Sequence, residues 1–291
     1  MDAGASKPRL QVVSTARRAW RNLDAMFERA FARWRTRPSI AVRISWLWPL
    51  AWVAAIAILM LTVDQIAGEL RHSWPLWLLI PALHLTDVGL SGWYLLPATA
   101  VVAAACLIDW TKLPRRGKAL LANWTALAFL VLVGIGLSGL VQIYLKSVFG
   151  RARMRYFDEL GAFHFEPNYF DDDLSSFPSG HSATMGAFAA IVALLFPSTR
   201  VFVIPFAVLV SLTRVVTRAH YPSDVVAGFG LGFAGALAAA FLFARMGLVF
   251  RGTQVGFVKR RSGFRLFPRR RGSAGEATRP AAPFPAGLSS K

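Results

Sequence analysis

Cysteine is nearly absent from this 291-residue chain. The one example, Cys106, lies inside an apolar run, so no internal disulfide can staple the fold and the redox compartment stays open. A cleavable secretion signal is also not visible, because the first 41 residues are polar and basic and lack a short apolar core with a small-residue cleavage site. No internal repeat is visible, which excludes a repeat architecture. Acidic residues are scarce, 15 against 33 lysines and arginines, for a net charge of +18. Such a surplus first suggests nucleic acid. Yet the basic residues gather in two tails and one short loop flanking apolar runs, which is the pattern membrane topology produces, so no nucleic-acid partner is expected.

Apolar residues are what the chain has in abundance. They make up 55% of it, mean hydropathy is +0.46, and several runs exceed what a soluble core helix needs. The expected fold is all-α, a polytopic bundle of six transmembrane helices at about 44–63, 92–108, 119–144, 182–196, 201–212 and 225–248. Gly228, Gly230, Gly232 and Gly235 in the sixth let helix backbones approach closely. The stretch 64–90, with Trp74 to Pro81 bracketed by prolines, reads as an interfacial element and not as a span.

Three regions follow: a basic N-terminal segment 1–41, a six-span domain 42–248 and a basic tail 249–291 whose Pro/Ala/Gly/Ser-rich end is expected to be disordered. In the first, Trp20, Leu23, Met26, Phe27, Ala30, Phe31 and Trp34 have the spacing of an amphipathic helix on an anionic leaflet; a disordered basic tail is the alternative. Six spans put both termini on one side, and 26 of the 33 basic residues fall on that side, so the termini are expected in the cytoplasm. The compact chain and short loops suit a bacterial inner-membrane protein. Of the seven exceptions, Lys146, Arg151, Arg153, Arg155, Arg214 and Arg218 lie in polar clusters on the opposite face, the periplasmic one; only Arg71 does not.

Those clusters carry the chemistry. A phosphomonoester brings about two negative charges and three acceptor oxygens, so its binding calls for convergent cations and backbone N–H donors. Lys146, Arg153 and Arg214 supply charge. Ser179-Gly180-His181 opens an apolar helix, where unpaired N–H groups and the positive end of the dipole form an anion site, with Gly180 allowing close approach and Ser179 as cap or hydroxyl donor. Downstream, Asp224 lies four residues after His220, suited to hold one imidazole nitrogen and present the other to phosphorus. His181 then serves to protonate the leaving oxygen and to activate water. No metal or other cofactor is required, and a divalent ion on these histidines would be crowded by three cations.

Taken singly, each cluster has a bland reading: snorkelling anchors, an ordinary helix-start turn, a structural His–Asp pair. His72, His84 and His164 have no partner in sequence and suit interfacial or loop roles.

In order and spacing, the three clusters resemble the type 2 phosphatidic acid phosphatases, which share a phosphate pocket with vanadium haloperoxidases. Lys146 and Arg153 match the first motif, Pro178-Ser179-Gly180-His181 the second without change, and Arg214, His220 and Asp224 the third. Met154 stands where the family has proline and Thr213 where it has serine. The resemblance implies His220 as a nucleophile forming phosphohistidine, Asp224 as its orienting partner, His181 as general acid, and Lys146, Arg153, Ser179, Gly180 and Arg214 as phosphate ligands.

The expectation is a lipid phosphate phosphatase in the bilayer, acting without metal at the outer face. Alternatives are a lipid phosphotransferase with a polyprenyl diphosphate donor, a vanadate haloperoxidase, and a non-catalytic lipid-phosphate binding or transport protein. Arg151, Arg155 and Arg218 offer cations beyond the clamp and lean the substrate toward a large anionic lipid such as lipid A or phosphatidylglycerophosphate.

Overall fold

The computed structural model describes residues 6–36, 45–168, 173–253 and 256–267. In chain order its α-helices are α1 (Ser6–Thr36), α2 (Leu47–Glu69), α3 (Leu76–Leu85), α4 (Gly92–Leu107), α5 (Arg115–Val131), α6 (Ser138–Phe149), the single turn α7 (Phe157–Leu160), α8 (Gly180–Leu195), α9 (Arg200–Val216) and α10 (Pro222–Arg245). A π-turn at Leu132–Leu137 joins α5 to α6 without a break.

Small residues fix the centre. A Cβ on Gly232 of α10 would lie 1.8 Å from the Ala183 carbonyl oxygen of α8, and one on Gly186 of α8 would lie 2.0 Å from that of Phe229. At the next contact along, a Cβ on Gly228 would lie 2.2 Å from the Ser179 carbonyl oxygen. The two helices therefore touch backbone to backbone, as the glycine pattern implied. Leu130, Ile135, Ile191, Leu195 and Phe243 fill the space on either side.

Among the described residues, five helical runs are long and apolar enough to cross a membrane: Leu47–His72, Leu76–Leu107, Arg115–Phe149, Pro197–Val216 and Pro222–Arg245. The fourth expected span, α8, is 16 residues long. At ~1.5 Å per residue it reaches about 24 Å, short of a hydrocarbon core of about 30 Å. Most of its residues are buried by the other helices, so its length need not match the lipid.

Two expected boundaries are corrected. The first apolar helix does not end at 63 but continues to Glu69 and a 3₁₀ turn at Leu70–His72, because Asp64 is paired inside the protein and does not interrupt it. Nor is 64–90 separate from the spans: α3 packs on α9 and leads through the turn Thr86–Gly89 into α4, making one apolar run.

At the end of the bundle away from the polar clusters, α1 docks. Asn22 Nδ2 donates to the carbonyls of Cys106 (2.8 Å) and Ile108 (3.0 Å) at the end of α4, satisfying acceptors that a helix terminus leaves open. The Arg245 guanidinium stacks 3.7 Å over the Trp34 ring. Residues 249–253 and 256–267, placed in the tail by the sequence, continue the folded domain. Strands β1 (Phe250–Gly252) and β2 (Val258–Arg260) form an antiparallel hairpin, and Val249, Phe250, Val258 and Phe264 join the central apolar cluster. The Pro-rich end 268–291 and the acidic pair Asp171-Asp172 lie outside the described residues.

Candidate active site

Four chain turns meet at one end of the bundle. Helix α6 carries Lys146 in its last turn and stops at Gly150, whose φ of +55° and contact with Glu166 leave no room for a side chain: a Cβ there would lie 1.7 Å from the Glu166 carbonyl oxygen. The loop beyond holds Arg151 and Arg153, and is tied down by Ser176 N donating to Arg151 O (2.9 Å) and Arg153 N to Asp173 O (3.0 Å). Ser179 caps α8, accepting from Ser182 Oγ at 3.0 Å, and its own N–H donates to Asp224 O at 3.0 Å. After Arg214 in the last turn of α9, the amides of Ala219 and His220 both donate to the Arg214 carbonyl, curling the chain so that α10 can start at Pro222.

All eight sequence-derived residues fall at this end. Lys146, Arg153, Arg214 and His220 lie within electrostatic range of His181, and Lys146, Arg214 and Asp224 within range of His220. Gln142 Nε2 donates to Pro178 O (3.2 Å), and a Cβ on Gly180 would come 3.1 Å from Gln142 Oε1, so glycine keeps the amides of this helix start accessible. Arg214 Nη1 donates to Thr86 Oγ1 at 3.1 Å, while its buried Nε has no partner among the described residues. A buried donor left unmet is costly unless a ligand completes it.

His220 is 2% exposed. Its Nδ1 lies 3.3 Å from Ser176 Oγ and 3.7 Å from Asp224 Oδ2, which leaves Nε2 as the nitrogen for a ligand. Burial, aided by the nearby Arg214 and Lys146 charges, lowers its pKa to about 4 although Asp224 pulls the other way. The ring is therefore neutral at neutral pH. Asp224 Oδ2 also accepts from Ser176 Oγ (2.6 Å) and Tyr221 N (2.9 Å), so one carboxylate both caps α10 and faces the imidazole.

From His181 an apolar groove of about 810 Å³ runs between α4, the α5–α6 π-turn and α8, lined among others by Leu95, Ile135, Leu140 and Ile143. Gly89 presses on the His181 ring, where a Cβ would lie 3.0 Å from His181 Cβ. Among the described residues no group of three or more His, Cys, Asp or Glu converges as metal ligands.

Of the three arginines expected to contact the headgroup, one is withdrawn from it. Arg151 is fully buried and binds two carboxylates, Asp224 (2.6 Å) and Asp64 (2.8 Å), so its removal from solvent also removes it from substrate. Arg155 pairs with Asp173, the member of the acidic run that is described. Arg218 sits in the turn at φ +60°, and its buried Nε, like that of Arg214, has no partner among the described residues. Sequence reasoning missed Asp64, Ser176 and Ser223. Only Asp64 left a signal, as a carboxylate in an apolar helix, a placement usually functional.

The sequence profile of the PAP2 superfamily matches residues 127–246, which hold every residue of the site named above except Asp64, Thr86, Gly89 and Leu95. Over 175 residues, 60% of the chain, it is 39% identical to a lipid A 1-phosphatase of Rhizobium johnstonii. Over 192 residues, 66% of the chain, it is 38% identical to a lipid A 1-phosphatase of Rhizobium etli. It spans 65% and 75% of those proteins' lengths. No solved structure matches it.

Proposed function

The chain belongs to the PAP2 superfamily, in its branch of membrane lipid phosphatases, and from that premise we propose that it removes the 1-phosphate of lipid A by a phosphohistidine mechanism at the periplasmic face of a bacterial inner membrane. The observation that carries this reading is the junction at His181, where a cationic cluster holding a neutral, oriented histidine meets the mouth of an apolar groove. A water-soluble phosphate ester has no use for such a groove; an acylated one does.

Lys146, Arg153, Arg214 and the N-terminus of α8 bind the phosphate oxygens, with Arg214 Nε among the donors. The Nε2 lone pair of His220 attacks phosphorus as the bond to the lipid oxygen breaks, and His181, which takes up a proton beside the negative charges of the bound phosphate, donates that proton to the departing oxygen. His181 then takes a proton from water, whose oxygen attacks phosphorus, and the bond to Nε2 breaks to release phosphate and restore His220. On this reading α8, enclosed by the other helices, is the fourth of six spans and both termini lie on one side; the distribution of basic residues supports the cytoplasm as that side. On that side α1, with Trp20, Phe27 and Phe31 exposed among its arginines, lies on the leaflet.

The test is phosphate release by the detergent-purified chain, with chelator present, from lipid A, phosphatidate, phosphatidylglycerophosphate and undecaprenyl diphosphate. Lipid A is expected to lose its 1-phosphate and keep its 4′-phosphate. Release from another lipid alone would overturn the substrate assignment, and release only when an acceptor lipid is added would make the chain a phosphotransferase.

A pH dependence follows from His220. Its neutral form attacks, and burial keeps that form down to about pH 4, so the enzyme's own acid limb is expected well below the ordinary imidazole value of ~6.5. ¹⁵N-imidazole NMR of the substrate-free protein reads this group apart from the phosphate's own ionisation. A His220 titrating near 6.5 would contradict the buried, cation-flanked site.

A further inference from the structure

Behind Asp224 lies a buried charge network that phosphate binding does not explain. Arg151 spends all five N–H groups inside the protein: Nε on Ala162 O (3.2 Å), Nη1 on Asp224 Oδ1 (2.6 Å) and Ser223 Oγ (2.8 Å), Nη2 on Asp64 Oδ2 (2.8 Å) and Ala162 O (2.8 Å). The Tyr221 ring lies 4.2 Å from its guanidinium carbon. Asp64, on α2 and fully buried, accepts Ser223 N at Oδ1 (3.0 Å), and Oδ2 takes both Arg151 and the Ser223 hydroxyl. Both oxygens face donors, which is the environment of an ionised carboxylate.

Two carboxylates and one guanidinium leave one negative charge, sealed from water and adjoining His220 through Asp224. Neutralising Asp224 would need only Arg151. A second buried carboxylate adds desolvation cost without improving that pairing; beside the Lys146 and Arg214 charges already in range of His220, it supplies the negative charge that would offset a further cation. On the reading proposed above, that cation is His220 itself, which becomes a phosphoimidazolium when Nε2 bonds to phosphorus while Nδ1 keeps its proton.

We propose that Asp64 and Arg151 are positioning residues for the histidine step. Arg151 occupies Asp224 Oδ1 so that Oδ2 alone faces the imidazole, and Asp64 keeps the network net negative when His220 gains its charge. The first apolar helix is thereby part of the catalytic apparatus, although it contributes no atom to the phosphate site.

Asp64→Asn keeps the shape and removes the charge. It is expected to lower kcat by about 10- to 100-fold with KM within about twofold, the reach of a unit charge at moderate effective dielectric. Protein quenched in alkaline detergent, in which the P–N bond survives, after turnover of ³²P-labelled lipid is expected to carry less phosphohistidine. The isosteric pair Asp64→Glu and Asp64→Gln supplies the second comparison, usable even if Asp64→Asn fails to fold: Glu is expected to exceed Gln in kcat by about tenfold or more. A purely structural role predicts equal rates for the isosteric Glu and Gln, with kcat tracking the thermal midpoint. Full kcat in folded Asp64→Asn, or equal rates for Glu and Gln, overturns the proposal. Retained activity in His220→Ala would instead sink the phosphohistidine reading on which it rests, so the two failures are told apart.

Discussion

His220→Ala is expected to reduce phosphate release by at least about 10³-fold, and by up to 10⁶-fold if no water can replace the imidazole, the range seen when a covalent nucleophile is deleted and the rest of a site is left intact. The loss should fall on kcat. Lys146, Arg153, Arg214 and the α8 N-terminus, which carry the proposed phosphate binding, are untouched by the truncation, so KM is expected to move only a few-fold. Removing the ring also relieves burial of a titratable group next to Asp224, whose remaining donors, Ser176 Oγ, Tyr221 N and Arg151 Nη1, keep the carboxylate satisfied. The variant should therefore fold, and its loss reports chemistry. Radiolabelled phosphate retained on native protein quenched in alkaline detergent, lost on acidification and absent from the variant, is the second readout. Activity within tenfold of native would mean that phosphorus is attacked directly by water, with His220 in a supporting part.

The site was legible in sequence to the extent that it is made of short-range spacings. His220 and Asp224 stand four apart across a helix start, and Pro178 to His181 spell a cap and a first turn; such relations survive whatever the rest of the chain does. Close packing by α10 was legible for a similar reason, since glycines spaced four apart mark a stripe whichever helix they meet, but its partner α8 was not. Asp64 and Arg151 were not. They are 87 residues apart, and whether an arginine in a basic loop turns inward depends on a carboxylate waiting in another helix. Arg151 and Arg153 look alike two positions apart, yet one is sealed in an ion network while the other lies within range of His181. The hairpin after α10 was hidden because its strands are three residues each and its sequence is basic, so composition spoke for a tail while Val249, Phe250 and Phe264 belonged to the core. The length of α8 misleads in the opposite sense: a helix wrapped in protein is freed from bilayer dimensions, and apolar length is then a poor ruler.

The crossing that forms the site is also its most sensitive structural point. Gly232→Val is expected to cost about 3 kcal/mol or more, at the top of the range for overpacking, because its Cβ would lie 1.8 Å from the Ala183 carbonyl oxygen and a backbone atom cannot rotate aside. The helices must part by more than an ångström, and the displacement does not stay local. Four residues toward the site, Gly228 rests on Ser179, whose N–H is bonded to Asp224 O at 3.0 Å. Separating α8 from α10 pulls the phosphate-binding helix start, with His181, away from the helix that carries Asp224. Stability and turnover should thus fall together, read as the thermal midpoint of the detergent-solubilised protein and as phosphate release below that midpoint. Gly92→Ala is the matched control, since nothing lies within 4 Å of its added Cβ, and its midpoint should move by less than the equivalent of about 1 kcal/mol. A Gly232→Val protein that melts and turns over like the native one would mean that the two helices can slide apart without consequence. The convergence of His181 with His220 would then have to be held by the loops alone.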